Sequence, residues 1–354
     1  MKTNNLSTLL VTALCLFGMM TPSYAAGKGN GGGKGGGGGG PGGGGTPAGT
    51  IYYLGPTPGI PAGSGSVTFS MNPDGSSQAP VAGGGWMAAF GKPSRDLHNN
   101  HRWFVGSRII SGEYYPDGSL RRELFAYRDD YDPNVPETKV QLTDDITLVA
   151  SQPRWLPGDG AISFVGKRWD GATVVEGGIY TVDLSFDVDG NIIGLAGIPA
   201  TPTFSMPLFQ SSPDVGHYSW DPNGTMIAYN KASAYGIWLD DLSGPEVQVF
   251  HYIAGGPEWS PNGESILFSQ SGSIWTIKAN GKRAVRVVQD TAEWSFSEAH
   301  WSTDSQHLVF RGASRSENKT DVFRSKANGS ELTQLTSNTA PDKSYMPHNF
   351  SAWR

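Results

Sequence analysis

Polar side chains recur at one place in a repeating unit, and they are the residues that could do chemistry. Four segments begin with tryptophan: Trp155-Leu156-Pro157-Gly158-Asp159, Trp220-Asp221-Pro222-Asn223-Gly224, Trp259-Ser260-Pro261-Asn262-Gly263 and Trp301-Ser302-Thr303-Asp304-Ser305. Immediately before the tryptophans stand Arg154, Ser219, Glu258 and His300. Asn349, just before Phe350, is the equivalent in a further unit, and His348 lies one residue away. Gln152, His217 and Glu298 stand three before a tryptophan, on the same face by strand alternation. Arg154, His217, Ser219, Glu258, His300, His348 and Asn349 are therefore the candidate ligand-binding set. Within it, His217, Glu258 and His300 are donor types suited to a zinc- or manganese-class divalent metal.

The elements that must position these residues are short strands. Nine residues after each tryptophan comes an aromatic: Phe164, Tyr229, Phe268 or Phe310. A second marker follows, an aliphatic–aromatic pair: Ile179-Tyr180, Ile237-Trp238, Ile274-Trp275 and Val322-Phe323. Proline presets one turn angle after the tryptophan, and Gly, Asn or Asp tolerates the strained position beyond it. Turns such as Ala279-Asn280-Gly281 and Ala327-Asn328-Gly329 then lead into a last strand. Each unit is predicted to be a four-stranded antiparallel meander. A diverged unit runs through Phe104-Val105-Gly106-Ser107-Arg108, Leu124-Phe125 and Val140-Gln141-Leu142-Thr143, with Arg95 where tryptophan would stand.

A sixth unit is split between the ends of the chain. Ile51-Tyr52-Tyr53, Val67 to Met71 and Gln78 to Val81 read as its second, third and fourth strands. Tyr345 to Phe350 is expected to supply the first. The fold class is thus all-β: a six-bladed β-propeller of four-stranded antiparallel blades, its ring closed by pairing N- and C-terminal strands in one blade. Leu184 to Asp214 reads as a long loop inserted between two units.

The remainder of the 354 residues divides simply. Residues 1–25 read as a secretory signal peptide, with Lys2, an apolar core from Leu9 to Met20 and Ser23-Tyr24-Ala25 before the cut. Residues 26–49 are a Gly-rich linker, expected to be disordered because glycine loses the most backbone entropy and buries no side chain. The propeller occupies 50–354. Cys15 is the only cysteine, so the mature chain has no disulfide or thiolate chemistry. A net charge of −6 argues against nucleic-acid binding. No later apolar run reaches 18 residues, so no transmembrane span remains after signal removal. No G-x-S-x-G, H-E-x-x-H or phosphate-loop motif occurs. Asp187-Val188-Asp189-Gly190-Asn191 has part of a calcium-loop pattern but is expected to be a β-turn, and His98 and His101 are expected in a loop.

The repeats resemble those of the TolB-like six-bladed β-propeller family, which read W-S-P-D-G, I-x-F, I-Y, N-x-D-G and L-T. Trp259-Ser260-Pro261-Asn262-Gly263 with Ile266-Leu267-Phe268 is close to that pattern, as is Met71-Asn72-Pro73-Asp74-Gly75. The resemblance covers the propeller only, without the TolB N-terminal domain. It implies an exported binding scaffold, periplasmic or secreted. Its partner would be an envelope or extracellular protein, or a small polar or carbohydrate ligand. Propeller lyases acting on oligogalacturonate imply the alternative: a metal-assisted polysaccharide lyase at the channel mouth using His217, Glu258 and His300, with Arg154 assisting proton abstraction.

Overall fold

The computed structural model describes residues 48–337, apart from 57–65, 82–91, 95–96, 116–117, 133, 196, 199 and 318. The segment expected to be a signal peptide and nearly all of the expected glycine linker lie outside the described residues, as do Arg95, His348, Asn349 and the segment 345–350.

Six antiparallel sheets follow one another along the chain. The first contains Ile51–Pro56, Ser66–Met71 and Ala79–Pro80. The second contains Lys92–Pro93, Trp103–Tyr114, Leu120–Arg128 and Lys139–Gln141. Leu148–Trp155, Ala161–Asp170, Thr173–Phe186 and Ile192–Leu195 form the third. The fourth is Tyr218–Trp220, Ile227–Tyr229, Ile237–Asp240 and Val247–Phe250. The fifth is Gly255–Trp259, Ser265–Gln270, Ser273–Lys278 and Val285–Val288. Trp294–Trp301, His307–Ser314, Thr320–Lys326 and Thr333–Gln334 form the sixth. This is a six-bladed, mostly four-stranded antiparallel β-propeller.

The repeat markers explain why each sheet forms. In the last four sheets the two aromatic markers face each other across the second and third strands: Phe164 opposite Tyr180, Tyr229 opposite Trp238, Phe268 opposite Trp275 and Phe310 opposite Phe323. Cross-strand aromatic pairs of this kind lock register. Phe164 and Tyr180 stack with ring centroids 5.5 Å apart. The aliphatic member, Ile179, Ile237, Ile274 or Val322, is fully buried in every case. Asp159, Gly224, Gly263 and Ser305, each four residues after its tryptophan, adopt positive φ in the first turn. The long loop expected over 184–214 contains short strands: Ile192–Leu195 pairs with the end of Thr173–Phe186, Phe204–Ser205 pairs with Gly178 and Ile179, and Leu208–Phe209 forms a small hairpin with Ser212–Pro213.

The ring closure expected from a shared sheet is corrected. The first sheet has three strands in sequential order, all N-terminal, and no sheet among the described residues joins strands from the two ends. The first and sixth sheets meet through packing and hydrogen bonds instead. Ile51, Tyr53 and Met71 share one buried cluster with Val309, Val322 and Leu335. Gln78 Nε2 donates to Leu335 O at 3.2 Å, and Arg324 Nη1 donates to Pro73 O at 2.8 Å. A Cβ built on Gly75 would stand 3.0 Å from Leu335 O. The same seating occurs where Gly281 approaches Val249 and Gly329 approaches Val287. The first sheet therefore sits on the last as the fifth sits on the fourth and the sixth on the fifth. Among the described residues, blade packing and these hydrogen bonds join the first and sixth sheets, with no strand shared between them.

Candidate functional site

The first strands of the third to sixth sheets bound one cavity of about 410 Å³. Arg154, His217, Ser219, Glu258 and His300 all line it, so four separate sheets each contribute a predicted site residue. Glu298 lines it too. Trp155, Trp220, Trp259 and Trp301, with Pro157, Pro222 and Pro261 from the turns, form much of its wall.

These polar residues also couple neighbouring sheets. Ser219 Oγ accepts a hydrogen bond from Trp259 N at 3.0 Å, one sheet along. Glu258 Oε1 accepts from Trp301 N at 3.1 Å, again one sheet along, and Glu258 Oε2 bonds His300 Nδ1. The indoles act alike: Trp220 Nε1 donates to Ser163 Oγ at 2.8 Å and Trp301 Nε1 to Glu258 O at 3.3 Å. Ser219 and Glu258 thus satisfy strand N–H groups that would otherwise be buried without a partner.

Arg154 is different. Its guanidinium lies 5.6 Å from the centroid of the Tyr218 ring, and its Nη1 donates to Pro153 O at 3.0 Å. Burial holds the Arg154 guanidinium below its usual value. Burial likewise pushes the Tyr218 hydroxyl up to about 12, so it stays protonated and hydrogen-bonds Ser163 Oγ at 3.0 Å. His217 is exposed at the rim, with its backbone N–H donated to Asn230 Oδ1 at 2.6 Å.

Strand alternation is broken in three of the four first strands. Pairing shifts by one residue between Ser151 and Arg154, between Gly255 and Glu258, and between Ser297 and His300. At each bulge the residue three before the tryptophan has positive φ: Gln152 at 51°, Gly256 at 61° and Glu298 at 51°. A bulge inserts one residue and re-aims those on either side. Gln152 and Glu298 therefore do not follow the simple alternation that grouped them with Arg154 and His300. Glu298 instead faces Arg311 at 3.6 Å.

Three metal-ligand atoms within 4.8 Å of one another occur once among the described residues, and the donors are His101, Asp129 and Asp130. His217, Glu258 and His300 do not form such a group. His101 Nδ1 lies 3.1 Å from Asp129 Oδ1 and 3.7 Å from Asp130 Oδ2. The donor set could coordinate a divalent cation. Arg128 already engages both oxygens of Asp130, at 2.6 and 2.8 Å, and a cation would have to compete with it. The histidine segment is a tight turn: His98 and His101 exchange backbone hydrogen bonds across Asn99 and Asn100, both at positive φ. Sequence reading missed the cluster because Asp129 lies 28 residues from His101, and only the pairing of Trp103 with Arg128 brings them together. The Asp187–Asn191 segment is the expected turn. Asp187 Oδ1 accepts the backbone N–H groups of Asp189 and Asn191, so that carboxylate is spent inside the turn.

No family model matches the chain, and no curated protein matches it. Solved structures do. Hydrazine synthase of Kuenenia stuttgartiensis superposes with a TM-score of 0.54 at 11% identity, over 85% of this chain and 48% of that chain. A protein assigned as TolB from Agrobacterium tumefaciens gives 0.48 at 16% identity, over 81% and 88%. TolB from Acinetobacter baumannii gives 0.48 at 14%, over 82% and 70%. The chain is a six-bladed β-propeller, and its similarity to TolB propellers is one of fold at low sequence identity.

Proposed function

We propose that the chain is an exported binding module whose ligand enters the cavity bounded by the first strands of the third to sixth sheets. The observation that carries this reading is the convergence of Arg154, His217, Ser219, Glu258 and His300 on one cavity from four sheets. Its volume falls in the range of small-molecule sites, roughly 300–1,000 Å³, and polar groups set among aromatic walls are how such sites orient a ligand. The leader at residues 1–25 supports export, and no helix among the described residues is long and apolar enough to cross a membrane. The ligand is a small polar molecule or a projecting segment of an envelope or extracellular protein.

The test is recovery of the chain from an exporting host, followed by native mass spectrometry. The expected result is a chain shortened by the leader in the exported fraction. It carries bound mass that is lost in His217→Trp, which plugs the rim. Retention in the cytoplasm at full length would overturn export. Bound mass unaffected by the plug, or none at all, would overturn the cavity assignment.

A further inference from the structure

Among the described residues Arg154 makes no ion pair. It meets the face of Tyr218 and the carbonyl of Pro153, and Glu258 acts on it through space without an ion-pair contact. The four carboxylates of the cavity lie against other groups, and Asp159 faces His98 Nε2 at 3.8 Å. Glu258 holds His300 and Trp301 N. Glu298 faces Arg311. Asp221 accepts from Thr225 N and Met226 N at 2.7 Å each, inside its own turn. A guanidinium stays charged and is costly to desolvate without a counter-ion. It presents a planar fork of donors that matches a carboxylate.

We infer that the cavity takes a small organic monocarboxylate, its carboxylate on Arg154 and its body against the tryptophan and proline rings. The inference rests on the cavity being the binding site. One head group is indicated because the lining offers a single guanidinium against four carboxylates, Asp159, Asp221, Glu258 and Glu298. A flat or cyclic apolar body is indicated by the walls, where Trp155, Trp220, Trp259 and Trp301 join Pro157 and Pro222. Arg154 then acts as the ligand's counter-ion, and its stack on Tyr218 orients the fork without neutralising it.

The experiment follows thermal unfolding of the wild-type chain, Arg154→Met and Arg154→Lys, each alone and with phenylacetate or its neutral amide, phenylacetamide. Methionine keeps the apolar stem and removes the charge. Expected results are a ligand-free R154M that unfolds at or above the wild-type midpoint, and a phenylacetate stabilisation seen in wild type and lost in R154M. The apparent affinity for phenylacetate should exceed that for the amide by roughly tenfold or more, the worth of a hydrogen bond to a charged group. R154K should fall between, since ammonium retains charge without the fork. If ligand-free R154M unfolds well below wild type, Arg154 is a strut on Tyr218 and the inference is overturned. Equal stabilisation by acid and amide overturns carboxylate recognition while leaving the cavity as a binding site. No stabilisation by either probe overturns the monocarboxylate class, and the plug experiment then judges the cavity independently.

Discussion

Glu258 shows how one side chain serves both the fold and the cavity. Its Oε1 accepts the Trp301 N–H and its Oε2 bonds His300. Glu258→Ala leaves that strand N–H without its acceptor and should cost about 1–3 kcal/mol in urea unfolding. Glu258→Gln keeps a carbonyl acceptor for Trp301 N and should recover most of the loss. Asp130 supplies a second prediction at this scale. Its hydrogen bonds from Arg128 hold its carboxyl below the usual carboxylate range. A depressed carboxylate contributes stability that is present above its unfolded value, near 3.9 for Asp, and is lost as pH falls through the lower folded value. NMR titration should find Asp130 below the ordinary Asp range, and Arg128→Ala should move it upward.

At the scale of an element, the bulged first strand was the feature least visible in the repeats. The tryptophan spacing marks where each strand ends, and it carries no record of an extra residue that shifts pairing upstream. Gly256, Gln152 and Glu298 share a backbone conformation without sharing a residue type, so no motif announces it. Gly256 isolates the backbone cost, because a Cβ there would meet nothing within 4 Å. Gly256→Ala should cost about 1 kcal/mol through its φ of 61° alone. At Gly329 a Cβ would collide with Val287 O as well as sit at a φ of 84°. Gly329→Ala should therefore destabilise clearly more than Gly256→Ala, by chemical denaturation under one set of conditions. Equal losses would mean that the turn does not seat on the preceding sheet.

For the whole molecule, the seam between the first and last sheets decides whether the ring unfolds as one body. Ile51 is fully buried in a cluster shared with Val309 and Val322 of the sixth sheet and with Leu335 just after its last strand. Ile51→Ala should cost about 2–5 kcal/mol, the range for deleting a packed aliphatic side chain. Fluorescence from the tryptophans of the sixth sheet should report the same shifted transition as far-ultraviolet circular dichroism. Separate transitions would show a seam too loose to couple the ends.

The sequence by itself determined the number of blades, the strand order in the second to sixth of them, and five of the polar residues that line the cavity, Arg154, His217, Ser219, Glu258 and His300. These depend on local periodicity: turn residues at fixed offsets, aromatics that meet across adjacent strands, and polar residues at one recurring position. Which of those polar side chains would be consumed by neighbours was decided only in three dimensions. Ser219 and Glu258 are claimed by N–H groups one sheet away, whereas Arg154 makes no ion pair among the described residues and hydrogen-bonds Pro153 O. The seam is likewise tertiary, because residues more than 250 positions apart hydrogen-bond there. Short-range patterns are written along the chain, whereas the allocation of hydrogen bonds and charges depends on which surfaces the folded ring presses together.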